Sequence, residues 1–187
     1  LLTTWKRGRE LLHERMAADA LQLKPFIEDI TTSGIGRVPG TAIFMTPAPE
    51  SVPHALLHSL KHYKTLHEQV VILSVSVFDV PYVPDIDRIE VHRLAGNFSQ
   101  VIVQYGFKDE PDIPAALGRC AAGGLHIDMM DASFFLGRET LIPKLESDMA
   151  YWRELLFVAM FRNASSATAF FRIPSNRVVE LGSQIVL

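Results

Sequence analysis

The sequence predicts an α/β fold: a single domain whose mixed β-sheet contains an antiparallel hairpin and is flanked by helices. The run QVVILSVSVF at 69–78 is nearly continuous in apolar and β-branched residues, as expected of a central strand buried on both faces. Segments 88–95 and 98–107 alternate apolar with polar residues and meet at Gly96 and Asn97, which predicts a hairpin with one face towards the core. Helical patterns separate the other predicted strands, as in sheets covered by helices.

The amino-terminal third of the chain predicts two helices, a loop, a strand and a further helix. Apolar residues at helical spacing predict the first helix, and Pro25 limits the next segment to a shorter helical turn. The glycines and proline of TSGIGRVPG, residues 32–40, predict a loop before a strand at 41–46. A helix over 51–68, with Ser51 as its N-cap, precedes the central strand.

The carboxy-terminal part predicts the remaining elements. Residues 112–124 predict a helix closed by two glycines, and 133–142 predict a strand. A long amphipathic helix is expected from about Met149 to Thr168, and 177–187 predicts a last strand. The stripe expected to form core or interface along this helix and beyond it comprises Trp152, Leu155, Leu156, Ala159, Phe170 and Phe171.

Composition excludes several classes of protein. The chain has 187 residues, 48% of them hydrophobic, and a net charge of −3, which is ordinary for a soluble protein and argues against a nucleic-acid partner. Cys120 is the only cysteine, so no intrachain disulfide can form, which favours a reducing compartment. The sequence contains no run of about 18 apolar residues, so it predicts no membrane span within these 187 residues.

Signatures of catalysis, metal binding and cofactor binding are weak. His54, His58 and His62 share one side of a predicted helix, but we interpret them as a half-buried stripe and predict no metal site. Residues 33–40 differ from a dinucleotide fingerprint, which must follow a strand, and Cys120 is expected to be a small core residue. Phosphate-loop and nucleophile-elbow motifs are missing from the sequence, so we predict no enzyme and no cofactor.

The charged pair Arg138 and Glu139 lies inside a predicted strand. Neighbours in a strand point to opposite faces, so each is expected to have its own partner. Arg138 is interpreted either as a structural tie to a carboxylate or as a clamp for an anionic ligand. A hydrolase that uses Asp131 with this pair ranks last, because no nucleophile accompanies them. The candidate ligand-binding residues are Arg138, Glu139, Asn176 and Arg177.

Four segments in order resemble the cytosolic carboxy-terminal region of the Kup (KUP/HAK/KT) family of potassium uptake permeases. They are RVPGTAIFMT, ALLHSLKHYKTLHEQVVIL, MDASFFLGRETLIP and FFRIPSNRVVELGSQI, and the resemblance extends from about Trp5 to the end of the chain. In this family a bundle of membrane helices carries potassium, commonly with proton coupling, and a soluble domain follows the last span. The resemblance implies a helical segment at 1–33 after that span and an α/β cytosolic domain at 34–187.

The resemblance also implies a function and partners. We expect a regulatory and assembly domain of a potassium transporter, a potassium–proton symporter, on the cytoplasmic face of the inner membrane. Its expected partners are the transmembrane part of the same permease, a second copy in a homodimer, and an adenine nucleotide or cyclic dinucleotide. No ion-conducting residue of the family can be placed in this segment. The alternative is a free-standing nucleotide-binding module of the stress-protein type.

Overall fold

The secondary structure is that of a computed structural model, which describes residues 2–18, 20–142, 150–162 and 167–186. Its helices are α1 (Leu2–Ala18), α2 (Leu23–Thr32), α3 (His54–Tyr63), α4 (Ile113–Arg119), α5 (Tyr151–Arg162) and α6 (Ala167–Phe170). Its strands are β1 (Gly36–Thr46), β2 (Thr65–Phe78), β3 (Ile89–Arg93), β4 (Phe98–Gly106), β5 (Ala132–Ile142) and β6 (Val178–Val186).

The strands form one mixed sheet in the order β3-β4-β2-β1-β5-β6. β1 is parallel to both β2 and β5, and β2 is parallel to β4. The pair of β3 and β4 is antiparallel, as the alternating pattern predicted. The predicted fold class, a single α/β domain with a mixed sheet, an antiparallel pair and flanking helices, is therefore confirmed.

β2 lies in the interior of the sheet and is buried on both faces over its middle. Val70 and Ile72 pack into a cluster that includes α2 and α3, whereas Val71 and Leu73 pack against α4 on the opposite face. The buried part of β2 is shorter than predicted: it ends at Ser74, and Val77 is 57% exposed.

β4 is buried throughout on the face that packs against α4, whereas its other face is buried at Phe98 and Gln100 but only half-buried at Ile102 and Gln104.

Contacts group the described residues into two compact units. The large unit contains α2 to α4, β1 to β4, the first half of β5, α6 and the start of β6. The small unit contains α1, α5, and the ends of β5 and β6. Its cluster of buried apolar side chains comprises Leu11, Leu12, Leu141, Phe157 and Val158. The predicted boundary between 1–33 and 34–187 stays a prediction.

Strand β1 begins within the predicted loop at 32–40. Residues 36–38 pair with the start of β2, and the register shifts between Val38 and Thr41. This irregularity accommodates Pro39, which has no amide hydrogen to donate, and Gly40, whose φ of 99° suits glycine. The loop prediction is therefore wrong for 36–40.

The helix predicted at 51–68 is shorter than expected. It begins at His54 after Pro53, so Ser51 is not its N-cap. It ends because Lys64 adopts a left-handed conformation with φ of 55°, after which 65–68 belong to β2.

The short helical turn predicted after Pro25 is the ten-residue helix α2. Pro25 lies in its first turn, where proline is favoured.

Helix α4 and the turn after it agree with the prediction. Asp112 caps α4 because its Oδ1 accepts a hydrogen bond from the amide of Ala115 at 2.9 Å. A 3-10 turn at Cys120–Gly123 follows, and Gly124 closes it with φ of 79°. Cys120 is buried as predicted, and burial raises the pKa of its thiol to about 11. The side chain is therefore a protonated core residue and a poor nucleophile.

The long predicted helix at 149–168 is described as α5 and α6, while Met149 and residues 163–166 lie outside the described residues. The face of α5 that is buried carries Glu154 and Phe157. Trp152 and Leu155 are exposed, so of the two expected roles, core or interface, the interface role is the one that stays a prediction for these residues. Helical spacing alone identified the stripe but not the direction in which it faces.

Candidate functional site

The predicted ligand-binding residues are two pairs of residues consecutive in sequence, and the two pairs belong to different units. Arg138 and Glu139 are in the small unit on β5, where Arg138 is exposed and Glu139 is half-buried. Asn176 and Arg177 are in the large unit, in a 3-10 turn before β6. The buried stretch of β5 ends at Leu136 apart from Leu141, so Arg138 does not bear the desolvation cost expected of a charge inside a buried strand. Their role in ligand binding stays a prediction.

The sheet order identifies the carboxyl edge of β1 as the place where ligands bind in related architectures. From β1 the chain proceeds to β2 on one side, and β5 joins β1 on the other side. Ligands of open parallel sheets bind outside the carboxyl ends of strands at such a reversal. β1 reaches this edge at Thr46, which pairs with Ser74 of β2.

Three polar side chains lie at this edge on one sheet face. Thr46 bonds the backbone of Ala48 through its Oγ1, and Gln100 donates from Nε2 to the carbonyl of Pro49 at 2.6 Å. The Oγ of Ser74 is buried and has no hydrogen-bond partner among the described residues. A buried hydroxyl in this state costs about 1–3 kcal/mol. Sequence reasoning missed this group, because a lone serine in an apolar run carries no signal until strand register places it beside Thr46.

The amino edge of the same strands carries a histidine next to a carboxylate. Burial lowers the pKa of His67, and the charge of Asp131 opposes this shift. The ring of Phe135 lies edge-on to the imidazole of His67, with ring centroids 5.7 Å apart. Nη1 of Arg37 donates a hydrogen bond to the backbone carbonyl of His67 at 3.0 Å. Burial therefore favours the neutral form of the His67 imidazole. Asp131 lies in the large unit, whereas its proposed hydrolase partners Arg138 and Glu139 lie in the small unit.

The histidine stripe of α3 follows the helix as predicted. His54 and His58 are half-buried and His62 is exposed, and the rings of His58 and His62 are 6.0 Å apart. Within the described ranges no group of three or more histidine, cysteine or acidic side chains is arranged to hold a metal ion.

None of the described helices is long and apolar enough to cross a bilayer.

Comparison with known proteins decides the family. A family model described as "K+ potassium transporter C-terminal domain" matches residues 39–187. The chain belongs to this family. The resemblance to Kup permeases is confirmed by relatives that carry this name.

Relatives of this potassium transporter C-terminal domain share its whole length. It is 81% identical over 187 residues to "Probable potassium transport system protein Kup 3" of Dechloromonas aromatica (strain RCB), of which it covers 30%. It is 57% identical over 187 residues to a Kup protein of Aromatoleum aromaticum and 53% identical to one of Myxococcus xanthus, covering 29% of each. The chain thus spans less than a third of the length of these relatives. No solved structure matches it.

Proposed function

We propose that the chain is the cytosolic regulatory and assembly domain of a potassium uptake transporter, a potassium–proton symporter. The observation that carries the proposal is the 81% identity along the entire chain to a potassium transport system protein more than three times as long. Ion conduction then belongs to the remaining part of the polypeptide. The 187-residue chain supplies a folded domain next to that ion-conducting part.

The charge at the start of the chain supports a position on the cytoplasmic face. Lys6 and Arg9 are exposed on α1, and Arg7 lies 3.6 Å from Glu10. Basic residues close to the end of a membrane span hold that end in the cytoplasm. The proposed transmembrane part of the same permease would precede them.

The function is tested with the full-length gene in a bacterial strain that lacks its own potassium uptake. We expect the full-length protein to restore growth at low potassium and the 187-residue chain alone to restore none. A full-length protein that reaches the membrane but restores neither growth nor rubidium uptake would overturn the proposal. The free-standing stress module is less favoured, because each relative named above contains the domain as a minor part of a longer chain.

A homodimer is part of the proposal. The exposed face of α5 presents Trp152, Leu155 and Ala159, which are spaced three and four residues apart and therefore lie on one side of the helix. Exposed apolar stripes of this kind are typical of subunit contacts. Light scattering should show a dimer at micromolar concentration that Trp152→Ser with Leu155→Ser converts to monomer. Wild-type protein that stays monomeric up to about millimolar concentration would contradict it.

An adenine nucleotide or a cyclic dinucleotide is the proposed regulatory ligand, with Arg138 as its anionic clamp. If Arg138 serves as the clamp and not as a structural tie, Arg138→Gln should change the free energy of unfolding of the ligand-free protein by no more than about 0.5 kcal/mol. The same substitution should abolish a nucleotide-induced rise in the melting temperature. Arg9→Gln, at another exposed arginine of the small unit, is the matched control and should keep that rise. If no nucleotide stabilises the wild type while Arg138→Gln is clearly destabilised, Arg138 is a structural tie.

A further inference from the structure

Helix α1 packs against α5 through one of its faces. Nε of Arg153 donates a hydrogen bond to Oγ1 of Thr4 at 3.2 Å, and the ring centroids of Trp5 and Phe157 lie 5.5 Å apart. These contacts fix the rotation of α1 about its own axis. The buried residues of this face are Thr4, Gly8, Leu11 and Leu12.

The side of α1 that points away from this face carries a row of exposed residues. We call it the α1 stripe, and it comprises Leu2, Lys6, Arg9 and His13. These residues are four, three and four positions apart, so in a helix of about 3.6 residues per turn they lie one above another. The stripe is about 16 Å long, because each residue adds about 1.5 Å along the helix axis. At its amino-terminal end, Leu2 is 86% exposed.

The α1 stripe is positively charged, and its neighbours do not neutralise it. Glu10 and Glu14 lie 3.6 and 3.9 Å from Arg7, which is outside the stripe. In the part of the chain that the structure describes, Lys6 and Arg9 form no ion pair with a carboxylate. The helix as a whole carries four basic and two acidic side chains, a net charge of +2 in a chain whose net charge is −3. Positive charge is therefore concentrated on α1.

Exposed basic side chains beside an exposed apolar one suit the surface of an anionic bilayer. Lysine and arginine close to a membrane span are attracted to the acidic headgroups of the cytoplasmic leaflet. An apolar side chain at the same surface enters the boundary between headgroups and acyl chains. Both kinds of side chain occur in the α1 stripe, and Leu2 is at the end of the stripe that leads towards the rest of the polypeptide.

We propose that α1 lies along the cytoplasmic leaflet and binds anionic phospholipid headgroups through the α1 stripe. This inference rests on the proposed function, in which a membrane-spanning part precedes α1. The chain matches a C-terminal domain and covers about 30% of its relatives, which leaves most of the polypeptide for that part. Because the stripe is parallel to the helix axis, contact along its whole length places α1 parallel to the membrane surface.

Two basic side chains are sufficient for this contact because α1 is tethered to the membrane. Each basic side chain near an anionic leaflet strengthens binding about fivefold, which is too little to hold a free protein there. A covalent connection to a membrane span raises the effective concentration of the stripe at the leaflet to about millimolar or more. The orientation of the small unit at the membrane then depends on the proportion of anionic lipid.

Photo-crosslinking to lipid in the full-length transporter tests this inference. The transporter is reconstituted into vesicles of phosphatidylcholine with about a third of the anionic lipid phosphatidylglycerol, or of phosphatidylcholine alone. The photoreactive amino acid p-benzoylphenylalanine replaces His13 of the stripe or, as a control, Arg15, which is also exposed but points about 160° away around the helix. We expect lipid adducts at position 13 and severalfold fewer at position 15. The yield at position 13 should fall without phosphatidylglycerol and with rising ionic strength.

Neutral variants identify the charges that bind the lipid. With the photoreactive residue at position 13, Lys6→Gln and Arg9→Gln should each lower the yield of lipid adducts by about fivefold at low ionic strength. Arg15→Gln removes the same charge from outside the stripe and should change the yield by less than about twofold. All three side chains are exposed, so the variants should keep the melting temperature of the wild type.

Three results would overturn the lipid contact. They are equal yields at positions 13 and 15, equal yields in the two kinds of vesicle, and crosslinks from position 13 to protein only, including a second copy. Potassium uptake by the unmodified transporter is measured in the same vesicles. Uptake without lipid adducts at position 13 would reject the lipid contact and leave the proposed function intact, whereas an absence of uptake would reject the proposed function itself.

Discussion

Replacing Ile72 with aspartate should prevent the chain from folding. Ile72 is 0% exposed and packs with Phe44 and Leu56 on the face of β2 that α2 and α3 cover. A carboxylate at this position would be desolvated among apolar side chains, at a cost of several kcal/mol. That cost is comparable to the entire stability of a typical domain. Circular dichroism and a thermal melt should show loss of the cooperative transition.

Val77→Asp is the matched control for this variant. Val77 lies on the same strand, but it is 57% exposed, beyond the end of β1. The aspartate there stays hydrated, so the stability of the protein should change by less than about 1 kcal/mol. Equal melting temperatures for Ile72→Asp and wild type would show that β2 is not the central buried strand.

Replacing Gly8 with alanine should destabilise the small unit. A Cβ at Gly8 of α1 would lie 2.4 Å from two ring carbons of Phe157 in α5. Trp5 and Phe161 pack against that ring with centroids at 5.5 and 6.0 Å, which limits its ability to move away. Overpacking of this kind costs about 1–3 kcal/mol. It should exceed the roughly 1 kcal/mol by which alanine improves helix propensity over glycine.

Two controls separate the clash from the propensity. Gly118→Ala in α4 meets nothing within 4 Å, so propensity alone acts there and the variant should be as stable as wild type or more stable. Phe157→Leu leaves more room above Gly8, so adding Gly8→Ala to that variant should cost little or nothing. Chemical denaturation of the wild type, Gly8→Ala, Phe157→Leu and the double variant gives the coupling free energy between the two positions. Additive effects of Gly8→Ala and Phe157→Leu would contradict a direct contact between α1 and α5.

The sequence could predict those elements whose patterns depend on local residues. The apolar run of β2 and the alternation of β3 and β4 are such patterns, and all three strands and the antiparallel pairing of β3 with β4 are found. The limits of elements depend on single backbone conformations, such as the left-handed Lys64 that ends α3. They also depend on pairing at a distance, as in the segment of β1 that contains Pro39. Neither is encoded in hydrophobic periodicity.

The candidate site was less predictable than the fold. Arg138 and Glu139 were identified correctly as charges in a strand, but the strand pattern did not show that burial largely ends at Leu136. The position of Ser74 and the exposure of Val77 depend on where β1 stops relative to β2, which only the register reveals. Side chains on opposite sides of one strand end, such as Val77 and Phe78, look in the sequence like a continued core.

Potassium uptake by the full-length transporter with and without residues 21–187 tests the central claim most directly. Uptake is measured over a range of potassium concentrations, with equal amounts of each protein in the membrane. If the domain regulates the transporter, its removal should change the maximal rate or the half-saturating concentration by about fivefold or more, a typical size of coupling between sites. Identical uptake kinetics for the two proteins would contradict a regulatory and assembly role for this chain.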